Sequence, residues 1–117
     1  MDRSKIVIYV SGPYTSSVAE EIDQNIHEAL MTARNIWNMG FVGLCPHANT
    51  YHFERYAPEL TWEDYIKRDL ELLRRCDGIF MMPKWEMSRG AIREKEYAED
   101  LGLPVFFEYF DIEAYEW

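Results

Sequence analysis

Four short apolar runs, the first three stopped by glycine or proline, alternate along this 117-residue chain with segments whose apolar residues recur at helical spacing. The first run is "KIVIYVSGPY", rich in β-branched and aromatic residues and closed by Ser-Gly-Pro. The others are "GFVGLCP", "GIFMMP" and "PVFFEYF". Runs of this length and composition predict buried strands. Between them, Ile22, Ile26, Ala29, Leu30, Ala33 and Ile36 predict a helix over roughly Val18 to Met39, ended by Gly40. Thr61 is a predicted N-cap for a helix from Trp62 to Cys76. Ser88 opens a third helix to Leu101, and Gly102 ends it. "HANTYHFERYAPEL" predicts an irregular polar connection.

Strands that alternate with helices form a parallel sheet with helices on both faces. The expected fold is an α/β three-layer sandwich, flavodoxin-like or Rossmann-like, with a four- to five-stranded parallel sheet. Residues 1–117 suit one domain with one core, and 48% hydrophobic and 15% aromatic residues can fill it. Right-handed crossovers put all strand C-termini on one edge, where ligands of such sheets bind. "SGPYTSS", "CPHANTYH", "PKWEMSRG" and the C-terminal tail follow strands and are therefore candidate site segments.

Charge narrows the partners. The net charge is −9 and the pI about 4.7. Binding to a nucleic-acid polymer needs a basic surface, so a polymer is not the expected partner. The first apolar run is far shorter than the ~20 residues of a membrane span. No signal-peptide layout precedes it. Cys45 and Cys76 sit in no paired motif and read as reduced thiols. A cytoplasmic protein without membrane contact is expected.

Two acids stand on faces where acids are costly. In the helix from Ser88, the residues Ala91, Glu94, Tyr97, Ala98 and Leu101 share one apolar face, while Arg93, Lys95, Glu96 and Glu99 point elsewhere. In the helix from Trp62, Asp69 lies amid Trp62, Tyr65, Ile66, Leu73 and Cys76. A buried carboxylate needs partners. Each acid alone reads as a satisfied buried group. Two of them flanking one strand point to a functional pair. Paired carboxylates suit glycosidic chemistry, one as nucleophile and one as acid or base.

"IYVSGPY", "RDLELLRRCDGIFMM" and "SRGAIREKEYA" resemble the nucleoside 2-deoxyribosyltransferase superfamily, which includes small deoxynucleoside 5′-monophosphate N-glycosidases. Ser88-x-Gly90-x-x-x-Glu94 is the strongest element, joined by Tyr9-x-x-Gly12 and Asp69. The resemblance implies that Glu94 is the nucleophile, Asp69 the second catalytic carboxylate and Tyr9 the residue orienting Glu94. Gly12, Ser88 and Gly90 would contact the sugar or its 5′ end. A helix opening at Ser88 would independently favour an oxyanion there, or Ser88 is a plain N-cap. The chain departs from the glycosidases in "GPYTSS", which lacks their phosphate-clamping arginine; Arg89 is the alternative. Cleavage of a (deoxy)nucleoside or nucleoside monophosphate, with transfer to water or a base, is the implied activity. A nucleotide-binding module without catalysis is the rival reading, and cleavage of a ribosyl–nicotinamide bond a third. No cofactor is implied. A homodimer or higher homo-oligomer is, with the aromatic tail as a possible interface.

Lesser candidates come from the residues alone. Tyr14 and Trp85 follow strands and either stack on a base or pack. His47 is expected at the pocket rim. Cys45, His47 and His52 have no standard metal-ligand spacing, so no metal is expected. Asn25, at the edge of the first helical stripe, reads as a pocket residue or as a cap or core hydrogen bond.

Overall fold

The computed structural model describes residues 1–117. Its strands are β1 (Val7–Ser11), β2 (Val42–Leu44), β3 (Gly78–Met81) and β4 (Val105–Phe106). Its helices are α1 (Ala19–Asn38), α2 (Pro46–Asn49), α3 (Phe53–Tyr56), α4 (Trp62–Arg74), α5 (Arg89–Asp100) and α6 (Tyr109–Ala114). The sheet order is β2-β1-β3-β4 and every pairing is parallel. This is the expected α/β architecture, with four strands. No helix is long and apolar enough to cross a membrane.

The period of two along β1 sorts its side chains between two layers. Ile8 and Val10 pack with Ala29, Ala33 and Ile36 of α1, and Phe106 and Ile112 join the same cluster. Tyr9 faces the other way, among Leu73, Ile79, Met81, Ala91 and Ala98 of the α4 and α5 layer. Both faces of β1 and β3 are covered, so both strands are apolar apart from Ser11 at the end of β1.

Topology then creates a crevice. From β1 the chain crosses outward to β2, and from β3 it crosses outward to β4. The loops after β1 and β3 diverge to opposite sides, and the gap between them is the switch point where such sheets bind ligands. Gly12 follows β1 at this gap. A Cβ on Gly12 would lie 2.7 Å from the Met82 sulfur and 2.9 Å from its Cβ. Gly12→Ala is expected to force β1 and β3 apart and cost about 1–3 kcal/mol, read as a lower denaturant midpoint at unchanged slope.

Several details differ from expectation. The "HANTYHFERYAPEL" connection is not irregular throughout. Pro46 starts α2 at a position where its missing N–H is harmless, and His52 in the left-handed region (φ 59) turns the chain into α3. Leu30 and Leu101 are each 41% exposed and lie outside the core stripes. Leu30 is one residue, and so about 100°, round the helix from Ala29. Leu101 is the C-cap of α5, beyond its buried face. Thr61 caps α4 as expected, in a reciprocal capping box with Asp64.

Candidate active site

Glu94 is 7% exposed, and both its oxygens are engaged. The Tyr9 hydroxyl donates to Oε2 at 2.5 Å, and the Ser11 hydroxyl donates to Oε1 at 2.6 Å. Both donors come from the α5-facing side of β1, two residues apart. Ser88 is the N-cap of α5, its hydroxyl accepting from the Ala91 N–H at 3.1 Å. Glu94 therefore sits in the second turn of a helix whose start is fixed by Ser88 and whose inner face is fixed by Ala91 and Ala98.

A cavity of about 600 Å³ opens beside Glu94. Tyr9, Gly12, Tyr14, His47, Asp69, Ser88, Gly90 and Glu94 all border it. Eight of the nine site residues expected from sequence thus converge on one space. The exception is Trp85. It lies in a 3-10 turn after Lys84, which is in the left-handed region at φ 70. That turn carries the indole away from the cavity, against Phe107 and under the Lys95 ammonium, 5.3 Å from the ring centre. The indole that borders the cavity is Trp62, with the Arg89 guanidinium 3.6 Å above its ring centre.

Burial dominates the electrostatics. It pushes the Glu94 carboxyl up to about 7; the Ser11 and Tyr9 donors pull down, and the Asp69 charge adds a further push. Burial alone raises the Asp69 carboxyl to about 6. The Tyr9 phenol is held well above its ordinary range by burial and then by the charges of Glu94 and Asp69, so it stays a proton donor. Both acids border one cavity, and burial raises each of them toward neutrality.

The cavity roof is pinned to the loop after β1. His47 Nε2 lies 2.8 Å from the Pro13 carbonyl and donates to it. Burial lowers the affinity of its ring for a second proton, so His47 is a neutral wall residue. The Tyr14 hydroxyl donates to Glu54 at 3.0 Å and accepts the His52 N–H at 3.2 Å. Asn25 donates to the Tyr14 carbonyl at 3.1 Å, which makes it a loop anchor. His52 Nδ1 lies 3.1 Å from Glu54 Oε1.

Gly90 has no steric requirement inside the protein. A Cβ there would meet only the Ser88 hydroxyl and the Trp62 nitrogen, both at 3.9 Å. Its bare backbone borders the cavity, where a ligand can approach the first turn of α5.

Sequence reading missed Ser11, Glu54 and the cavity-lining role of Trp62. Ser11 carried a usable signal: a small polar residue in a buried strand, two positions after Tyr9. Glu54 carried none, because its position depends on the turn at His52.

Residues 6–107 match a family described as "Domain of unknown function (DUF4406)". The chain belongs to this family. No curated protein matches it. Among solved structures, the DUF4406 chain is similar to the 2-deoxyribosyltransferase of Bacillus psychrosaccharolyticus at 17% identity and a TM-score of 0.64. The match covers 95% of this chain and 93% of that one. At that identity the likeness establishes a shared fold.

Proposed function

We propose that this chain cleaves the N-glycosidic bond of a (deoxy)nucleoside or nucleoside monophosphate, with transfer to water or to another base. The observation that carries the reading is Glu94, a buried carboxylate with a hydroxyl donor on each oxygen, bordering a cavity shared with Asp69. The fold shared with a 2-deoxyribosyltransferase is consistent with it.

In this mechanism ionised Glu94 attacks the anomeric carbon. The bond to the base nitrogen breaks, and its electron pair leaves with the base. Protonated Asp69 supplies the proton that makes the base a better leaving group. Water or an acceptor base then attacks the glycosyl-enzyme, and Asp69, now a carboxylate, takes the proton. Two displacements retain the configuration. Arg89 and the open backbone of Gly90 flank the mouth, where a 5′ substituent would be met. Arg89 is exposed, and its guanidinium lies over the Trp62 ring, 3.6 Å from the centre.

The test is chromatography of products from deoxynucleosides and their 5′-monophosphates, with and without an acceptor base. Release of free base supports the reading, and acceptor dependence separates transferase from hydrolase. Binding without release from any substrate would overturn it in favour of a binding module.

The working form carries one proton on the pair and places it on Asp69, with Glu94 ionised; because Glu94 holds its proton more tightly than Asp69, this is the minority placement of that proton. A narrow bell is therefore expected, between the values near 6 and 7 at which the two acids titrate. Asp69→Asn removes the acid and is expected to slow base release about 10²- to 10⁴-fold. It also removes a charge that raises Glu94, so its residual activity should rise through a single limb lying below the upper limb of the wild type. A pH–rate profile of both proteins checks this.

A further inference from the structure

The two donors to Glu94 occupy different places. Tyr9 borders the cavity, and so belongs to the wall a substrate touches. Ser11 lies behind Glu94, 1% exposed and outside the lining. Its hydroxyl makes one side-chain hydrogen bond, to Glu94 Oε1 at 2.6 Å. Ser11 is the last residue of β1, in register with Met81 of β3, and its carbonyl accepts the Met82 N–H at 2.8 Å, so the backbone that carries this hydroxyl is fixed by the sheet.

We propose that Ser11 is a positioning residue for the second half-reaction, stabilising the Glu94 carboxylate as it is released from the sugar. The inference rests on the nucleophilic role proposed above for Glu94. In the glycosyl-enzyme Glu94 is a neutral ester and a weak acceptor. On resolution the bond between the anomeric carbon and the Glu94 oxygen breaks, and its electron pair returns to the carboxylate. The oxygen of water, or the nitrogen of an acceptor base, forms the new bond to carbon. The displaced proton passes to the Asp69 carboxylate. Full negative charge thus reappears on a carboxylate that is 7% exposed. A hydroxyl already aimed at each oxygen strengthens as that charge grows and needs no reorganisation.

The same donor has the opposite leverage on the first step. By stabilising ionised Glu94 it keeps the nucleophile available near neutrality while tempering its basicity. Loss of the Ser11 hydroxyl should therefore slow resolution more than attack. The titratable and charged groups around Glu94 are Tyr9 from β1 and Asp69 from α4, with Arg89, His47 and Glu54 bordering the same cavity. None of them is altered by a change at Ser11.

The test is rapid-quench base release by wild type and Ser11→Ala, using the common deoxynucleosides and their 5′-monophosphates. The variant should give a burst of about one base per subunit, followed by a steady rate about tenfold below wild type. The limb of its pH profile that reports Glu94 ionisation should move up by about one pH unit. Ser11→Cys keeps the volume with a weaker donor and should fall between the two. It carries the same test if the alanine variant does not fold. A Ser11 variant that is slower with neither a burst nor a moved limb overturns the inference and leaves the proposed function standing. Wild type that releases no base overturns both.

Discussion

Glu94→Ala is expected to lose base release by at least about 10³-fold, with no acceptor or pH restoring it. No other group can take its place. Asp69 reaches the cavity from a different helix, and no other acid of α5 faces inward. Glu96 and Glu99 lie on the exposed side of the helix, and Lys95 is paired with Glu99 at 3.1 Å. The substitution also leaves the Tyr9 and Ser11 hydroxyls without their acceptor in a buried site, which destabilises by itself. Glu94→Gln is therefore the cleaner companion, because its amide oxygen accepts from Tyr9 while its nitrogen donates to Ser11. Both variants should be inert in the chromatographic assay while Glu94→Gln keeps the wild-type circular dichroism. Full activity in either would remove Glu94 from the chemistry.

Glu94→Gln should also be more stable than wild type at alkaline pH. The folded protein holds the Glu94 proton up to about 7, against 4.5 for an unperturbed glutamate. An acid raised in this way binds its proton more tightly folded than unfolded. Its contribution to stability is complete below the unfolded value and is lost as pH rises through the folded one. The difference corresponds to about 3 kcal/mol across the interval from 4.5 to 7. Glutamine has no such loss. The variant should match wild type near pH 5 and exceed it by roughly 1–3 kcal/mol at pH 8, several degrees in Tm. Thermal melts at the two pH values read this directly. A Tm difference that is the same at both would mean that Glu94 is not held as a desolvated acid. Near-neutral function thus carries a cost in fold stability, as in other sites built to keep a reactive group in an unfavourable state.

The strand–helix alternation made the sheet legible because each segment has an unmistakable period and a clear stop. Glu94 and Asp69 were legible because a carboxylate in an apolar stripe violates the pattern that surrounds it. Tyr9 and Ser11 illustrate the limit. Both lie on the strand face that meets α5, yet only Tyr9 was drawn from the sequence, and through family resemblance. A buried serine is an ordinary small residue until the acid facing it is known. Trp85 takes the packing alternative for a local reason, since one left-handed residue, Lys84, redirects the turn after β3. Leu30 and Leu101 failed because a helix that covers one sheet buries a narrower stripe than its apolar residues suggest. The short helix α3, and with it Glu54, follows from the turn at His52, which no periodicity announces.

The most direct test of the central claim is detection of the glycosyl-enzyme. Protein mixed with a processed deoxynucleoside or its monophosphate, quenched in acid within the first turnover, would be weighed intact and then as peptides. The account predicts a mass increase of one sugar unit without the base, carried by the peptide containing Glu94 and absent from Glu94→Gln. Base release with inverted configuration at the anomeric carbon and no adduct on that peptide would contradict it.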